Sequence, residues 1–201
     1  MQMKSHVDNA RDLGRGKKIL GFDMDGVVID NAELKLRVAK SLGINLSPMQ
    51  TPAEIIKKIV SSDLLRRLQL AIYCNPMISI EAPLMPGIVK LLDDINSAKI
   101  PYLLISRRLE PSIAIDLLKK RGIWPKYFNE SNAFFVVEPI EKNIKAKELG
   151  VTHYVDDETK ILSVLADVPN KFLFDHLNVF PASDNYIKIA SHEELAKYFL
   201  G

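Results

Sequence analysis

Along the chain, short runs of β-branched and aromatic residues alternate with stretches whose apolar positions recur every three or four residues. The first kind reads as strands buried on both faces, the second as amphipathic helices, and their alternation predicts βαβ units around a parallel sheet. Five strands are expected, at Lys18-Ile-Leu-Gly-Phe22, Tyr102-Leu-Leu-Ile105, Ala133-Phe-Phe-Val-Val137, His153-Tyr-Val155 and Lys171-Phe-Leu-Phe174. Between them, Ile88, Leu91, Leu92 and Ile95 form a helical stripe opened by Pro86-Gly87. Further helices are expected from Pro111 to Arg121, stopped by Gly122, and from about Glu141 to Leu149, stopped by Gly150. Ile161, Val164 and Leu165, and at the C-terminus Leu195, Phe199 and Leu200, suggest two more.

One stretch breaks the alternation. Residues 31–84 carry helical patterns and no convincing strand: Ala32 to Leu42 is one helix, and Ile55, Ile56, Ile59, Val60, Leu64, Leu65 and Leu68 argue for one or two more up to about Tyr73. The expected fold class is therefore α/β, a three-layer Rossmann-like core of residues 1–30 and 85–201 with a helical subdomain of residues 31–84 inserted after strand one. That insertion point lies above the C-terminal end of the first strand, where open α/β sheets bind ligands, so a lid is expected.

Composition narrows the function classes. The 201 residues are 47% hydrophobic and 26% charged, the balance of a globular chain with a real core. A net charge of +2 offers no field for nucleic acid or an anionic membrane. One cysteine, Cys74, excludes an internal disulfide and a cysteine zinc cluster. The polar first sixteen residues lack the apolar run of a secretory signal, and no stretch is long enough to span a bilayer, so a cytoplasmic, soluble protein is expected.

The chemistry concentrates at predicted strand ends. Strand one runs into Asp23-Met-Asp25-Gly26, two carboxylates two residues apart with a glycine that lets the chain turn sharply. Strand two ends in Ser106-Arg107-Arg108, and strand four in Asp156-Asp157-Glu158. Lys142 stands at the start of the helix before strand four, within reach of the same edge. Each has an ordinary reading alone, as a turn, a helix cap, a helix-start acid or a solvated charge.

In this order the residues resemble the haloacid dehalogenase superfamily, mostly phosphatases with an aspartyl nucleophile. Its four motifs are matched by Asp23-Met-Asp25-Gly-Val-Val-Ile-Asp30, Ser106, Lys142 and Asp156-Asp157, and the helical insert resembles a C1-type cap. The resemblance implies Mg2+-dependent hydrolysis of a small phosphorylated metabolite through an aspartyl phosphate, with Asp23 as nucleophile and Asp25 as acid and base. It implies Ser106 and Lys142 on the phosphoryl oxygens, and a metal held by Asp23, the Asp25 carbonyl and the Asp156-Asp157 pair. Which member of that pair ligates directly stays open, as does Lys145 or Lys147 in place of Lys142. A hard oxygen donor set with no His or Cys cluster suits magnesium. The same apparatus could serve a sugar phosphomutase, and the fold alone could serve a non-catalytic regulatory or binding protein.

Other residues are expected to be structural. His6, His153, His176 and His192 lack metal-ligand spacing, Cys74 has no partner base, and Trp124, Tyr127 and Phe128 suit a core. Arg107 is read as a surface charge with a substrate contact as its alternative, and Lys35, Arg37, Lys57, Lys58, Arg66 and Arg67 as a solvated helix face with substrate contacts among them as the alternative. The natural substrate and the oligomeric state are not encoded in any local pattern.

Overall fold

The computed structural model describes residues 18–201. Six parallel strands form its sheet: β1 (Leu20–Phe22), β2 (Tyr102–Arg107), β3 (Ala133–Val136), β4 (His153–Asp156), β5 (Asn170–Phe174) and β6 (Ile187–Ile189). Their order is β3-β2-β1-β4-β5-β6, so the chain steps outward from β1 on one side and resumes at β4 on the other. This reversal leaves a crevice at the carboxyl ends of β1 and β4, the position where open α/β sheets bind ligands.

Helices cover both faces, as buried parallel strands require. On one face Phe22, Leu104 and Phe172 pack with α5 (Ile88–Ser97), α6 (Pro111–Lys120) and α9 (His192–Leu200). Phe22 sits at the centre of this layer, edge-on to Phe128 at 6.3 Å and Phe199 at 5.8 Å between ring centroids. The other face carries α7 (Pro139–Glu148) and α8 (Thr159–Val164) over Ile105, Tyr154 and Leu173. Tyr154 reaches across the sheet at Gly21, where an added Cβ would stand 2.4 Å from its ring. The Tyr154 hydroxyl donates to the Ile105 carbonyl at 2.6 Å.

Between β1 and α5 the chain forms α1 (Ala32–Ser41), a short 3-10 turn (Pro48–Gln50), α2 (Ala53–Ile59), α3 (Ser62–Tyr73) and α4 (Pro76–Ser79), with no strand. The 3-10 turn and α4 were not expected from periodicity. Both are too short to show a repeat, and both begin at a proline. The sixth strand was also unexpected: Ile187-Lys-Ile189 is three residues long and joins the sheet only by pairing with β5. Pro86 lies outside α5, whose N-cap is Gly87 at φ 85°, a left-handed position that Pro cannot take. The first sixteen residues, and with them His6 and the expected absence of a secretory signal, lie outside the described residues. No helix among the described residues is long and apolar enough to cross a membrane.

Candidate active site

Asp23 follows β1 directly, and its N–H still donates to the Val155 carbonyl at 3.0 Å, which ties it to the end of β4. The next six residues curl tightly. Val28 and Ile29 both donate to the Met24 carbonyl, Gly26 donates to the Ile29 carbonyl, and Gly26 adopts φ 82°. Glycine is required there twice over, since a Cβ would meet Asp157 Oδ2 at 2.3 Å. The loop after β1 and the acid pair after β4 are thus fitted to each other at one glycine.

Lys142 comes from α7. Pro139 occupies the first turn and Glu141 closes a capping box with Glu138, which starts the helix just after β3. Side chains on a helix lean toward its N-terminus, so Lys142, one turn in, reaches back to the sheet edge. Its Nζ donates to Asp23 Oδ1 at 2.8 Å and to Asp156 Oδ2 at 2.7 Å, with 1% of the side chain exposed. The same ammonium lies 5.7 Å from the Tyr154 ring centroid. Burial pulls the pKa of Lys142 down, but Asp156 and Asp23 more than reverse this and hold it well above the ordinary lysine value. Lys145 and Lys147 pair elsewhere, with Glu148 and Asp167, so Lys142 is the lysine that the fold brings to Asp23.

Asp156 ends β4 fully buried, and its Oδ1 accepts the Glu158 N–H at 3.0 Å. Asp23, Asp156 and Asp157 each offer an oxygen within 4.8 Å of the others. Burial is the main cause that pushes all three upward: Asp23 rises against the opposing pull of Lys142, Asp156 reaches about 7, and Asp157 goes well above the carboxylate range. Three crowded carboxylates, Asp23 and Asp156 buried and Asp157 half-buried, are the donor set that a hard divalent cation such as Mg2+ relieves.

Asp25 is placed differently. Arg108 Nε donates to its Oδ2 and Arg108 Nη2 to its Oδ1, each at 2.7 Å, and Asn31 Nδ2 donates to Oδ1 at 2.7 Å. Arg108 is 3% exposed, stacks over the Tyr73 ring of α3 at 4.6 Å and donates to the Tyr73 carbonyl at 3.4 Å. Burial alone would lower its pKa, and the Asp25 carboxylate overcomes this so that it lies above the usual arginine value. Arg108, Tyr73 and Asn31 were missed in the sequence. The Ser-Arg-Arg run offered only adjacency to Ser106, and nothing local marks which arginine turns inward.

Ser106, on β2, is fully buried, and its hydroxyl has no hydrogen-bond partner. An orphaned buried hydroxyl is costly, and this one lies beneath the cavity rather than on its lining. Lys35, expected on a solvated face, is instead 8% exposed and lines the site beside Asp157. Lys57 is bound to Glu158 at 2.9 Å, linking α2 to the acid run. Cys74 lies at the cavity edge and is free; His153 and His192 are buried against Phe172 and Phe174 and stay outside the site. Trp124, Tyr127 and Phe128 pack in the core as expected.

A cavity of about 260 Å³ opens over these groups. Asp23, Asp25, Lys142, Asp157 and Glu158 line it on the sheet side, and α3 and the β2–α6 turn line it on the other.

No family profile and no curated protein matches the chain. Solved structures match its fold across nearly its whole length. A subfamily IA, variant 1 HAD-superfamily hydrolase from Geobacter sulfurreducens superposes with a TM-score of 0.60 at 17% identity, covering 91% of this chain and 100% of that one. A HAD family hydrolase from Deinococcus radiodurans, solved with phosphate and sodium, gives 0.57 at 15% identity, covering 89% and 93%. The L-2-haloacid dehalogenase RSc1362 gives 0.64 at 12% identity, covering 92% and 99%.

Proposed function

From the haloacid dehalogenase fold that the chain carries, we propose that it is a Mg2+-dependent phosphatase acting on a small phosphomonoester through an aspartyl phosphate on Asp23. The observation that supports this most is Lys142, buried and shared between Asp23 and Asp156 at the crevice where the strand order reverses. A nucleophilic carboxylate needs a fixed cation to approach a phosphoryl dianion, and a lysine held by two buried acids supplies one that cannot swing away.

Asp23, Asp157 and Asp156 would hold the Mg2+, with the Asp25 carbonyl. The cation would offset charge on the phosphoryl oxygens as the phosphorus is transferred. Asp23 attacks phosphorus in line, the alcohol oxygen leaves, and the resulting acyl phosphate is then cleaved by water. Asp25, two residues on, gives its proton to the leaving alcohol oxygen and later takes one from the attacking water, for which one of its oxygens has to come free of Arg108. Arg108 and Asn31 fix where its carboxyl points. The Ser106 hydroxyl donates to a phosphoryl oxygen, which gives its buried proton an acceptor. The helical insert of residues 31–84 acts as a cap, since α1 and α3 contribute Lys35, Arg66 and Tyr73 to the cavity wall.

The test is phosphate release from an aryl phosphate with and without Mg2+, comparing the wild type with Asp23→Asn. Metal-dependent release that the variant loses supports the reading. Halide release from a 2-haloacid with no phosphate release would replace it with dehalogenation.

A further inference from the structure

Five cationic side chains line the cavity: Lys35, Arg66, Arg107, Arg108 and Lys142. Three are matched by the site's own acids. Lys142 is held by Asp23 and Asp156, Arg108 by Asp25, and Lys35 stands beside Asp157 and offsets its charge. Arg66 and Arg107 form no salt bridge within 4.0 Å among the described residues, although Arg107 is near enough to Glu158, itself paired with Lys57, to help lower its pKa.

Their placement is not that of scattered surface charge. On α3, Arg66, Gln69, Leu70 and Tyr73 recur at helical spacing and all four face the cavity, while Leu68 and Ile72 are buried away from it. Arg67, one residue along, is not part of the lining. Across from α3, Arg107 leaves the end of β2. Its Nε is anchored on the Val137 carbonyl at 3.2 Å, and its two terminal nitrogens have no partner among the described residues. Arg108 sits over Tyr73 of α3 and joins this turn to the helix, while Arg66 and Arg107 are themselves exposed. Leu70, Leu109 and Ile161 line the same cavity between polar groups.

Resting on the phosphatase reading above, we propose that the substrate is a small phosphomonoester carrying a second anionic group, a carboxylate or another phosphate, bound between Arg66 and Arg107. Guanidinium groups take either anion through paired N–H donors, and two of them lining one cavity, neither in a salt bridge among the described residues, favour a ligand that brings a further negative charge. A cavity of about 260 Å³ keeps that second charge within a few bonds of the phosphorus. The apolar lining covers the carbon chain between the two charges.

Phosphonates test this without turnover. Calorimetric titration of the whole protein with methylphosphonate, 3-phosphonopropionate and propane-1,3-bisphosphonate compares one charged end with two, and separates the carboxylate from the phosphate. At least one doubly charged probe should bind about tenfold or more tighter than methylphosphonate. Arg66→Gln and Arg107→Gln should each reduce that advantage to less than about threefold, and Arg66→Lys and Arg107→Lys should restore part of it. Equal binding of all three probes by the wild type, or an advantage that survives both glutamine variants, would overturn the proposal. If the wild type discriminates among phosphonates but releases no phosphate from any ester, the phosphatase reading fails and the subsite stands.

Discussion

Arg108 grips both carboxylate oxygens of Asp25 at 2.7 Å while its guanidinium carbon stands 4.6 Å over the ring centroid of Tyr73, a residue of the helical insert. The acid of the proposed reaction is therefore oriented by a core arginine that is itself braced from the insert. Because the pair is nearly buried, removing one partner leaves the other charge without compensation.

Arg108→Gln should therefore destabilise the fold by about 3 kcal/mol, the scale of a broken buried ion pair, as read by urea unfolding. Asp25→Asn keeps an oxygen acceptor for one of the two donors and should cost less. Both variants should slow phosphate release, and the loss should be larger for alkyl than for aryl phosphates, because a poor leaving group depends more on proton transfer.

Gly26→Ala places a methyl 2.3 Å from Asp157 Oδ2 at a residue with φ 82°. The carboxylate has to move, so Mg2+ affinity measured by calorimetry should fall by about tenfold or more. The overall fold should survive, with a stability loss of about 1–3 kcal/mol from the strained backbone.

The buried acids set a pH dependence whose sign follows from their direction of shift. Asp156 rises to about 7 from an ordinary 3.8, with Asp23 and Asp157 also raised. Between these values the three acids hold more protons in the metal-free native state than in the unfolded chain, so their contribution to stability should fall as pH rises from about 4 to about 7, while His153, held at about 4 by burial, and the likewise lowered His192 contribute in the opposite sense. Mg2+ binds the ionised forms and should flatten or reverse that slope. Urea midpoints at several pH values for the metal-free wild type and Asp156→Asn isolate it, and the same pH dependence in both proteins would contradict the assignment.

Gly21→Ala tests the layer beneath the site. Its Cβ would stand 2.4 Å from the Tyr154 ring, which is fully buried and hydrogen-bonded to Ile105. Overpacking of this kind costs about 1–3 kcal/mol. Displacing the ring should also disturb Lys142 above it, so turnover should drop together with the melting temperature.

Most of the core was legible in the sequence because buried parallel strands are continuous apolar runs, and the runs at Tyr102, Ala133 and His153 have no helical alternative. The same logic misses β6, whose lysine interrupts a three-residue strand that exists only through its neighbour. At the site, Asp23, Asp25, Ser106, Lys142, Asp156 and Asp157 all come to one end of the sheet, because strand-end residues converge wherever parallel strands do. The choice among Lys142, Lys145 and Lys147 was not legible from spacing. It is decided by where α7 begins, and Pro139 one turn before Lys142 was the available clue. Lys35 and Arg66 looked like any charge on an amphipathic helix. Only the packing of α1 and α3 over the cavity separates them from Arg67.

The single ammonium shared by Asp23 and Asp156 makes the proposed nucleophile and the proposed metal-side acid parts of one electrostatic unit rather than two independent devices. Altering either one changes the charge balance felt by the other, so losses from Asp23→Asn and Asp156→Asn should not add in a double-mutant cycle. A drift in one of these positions during divergence would then be tolerated only alongside a change in its counterpart or in Lys142, and the three should be inherited as a block.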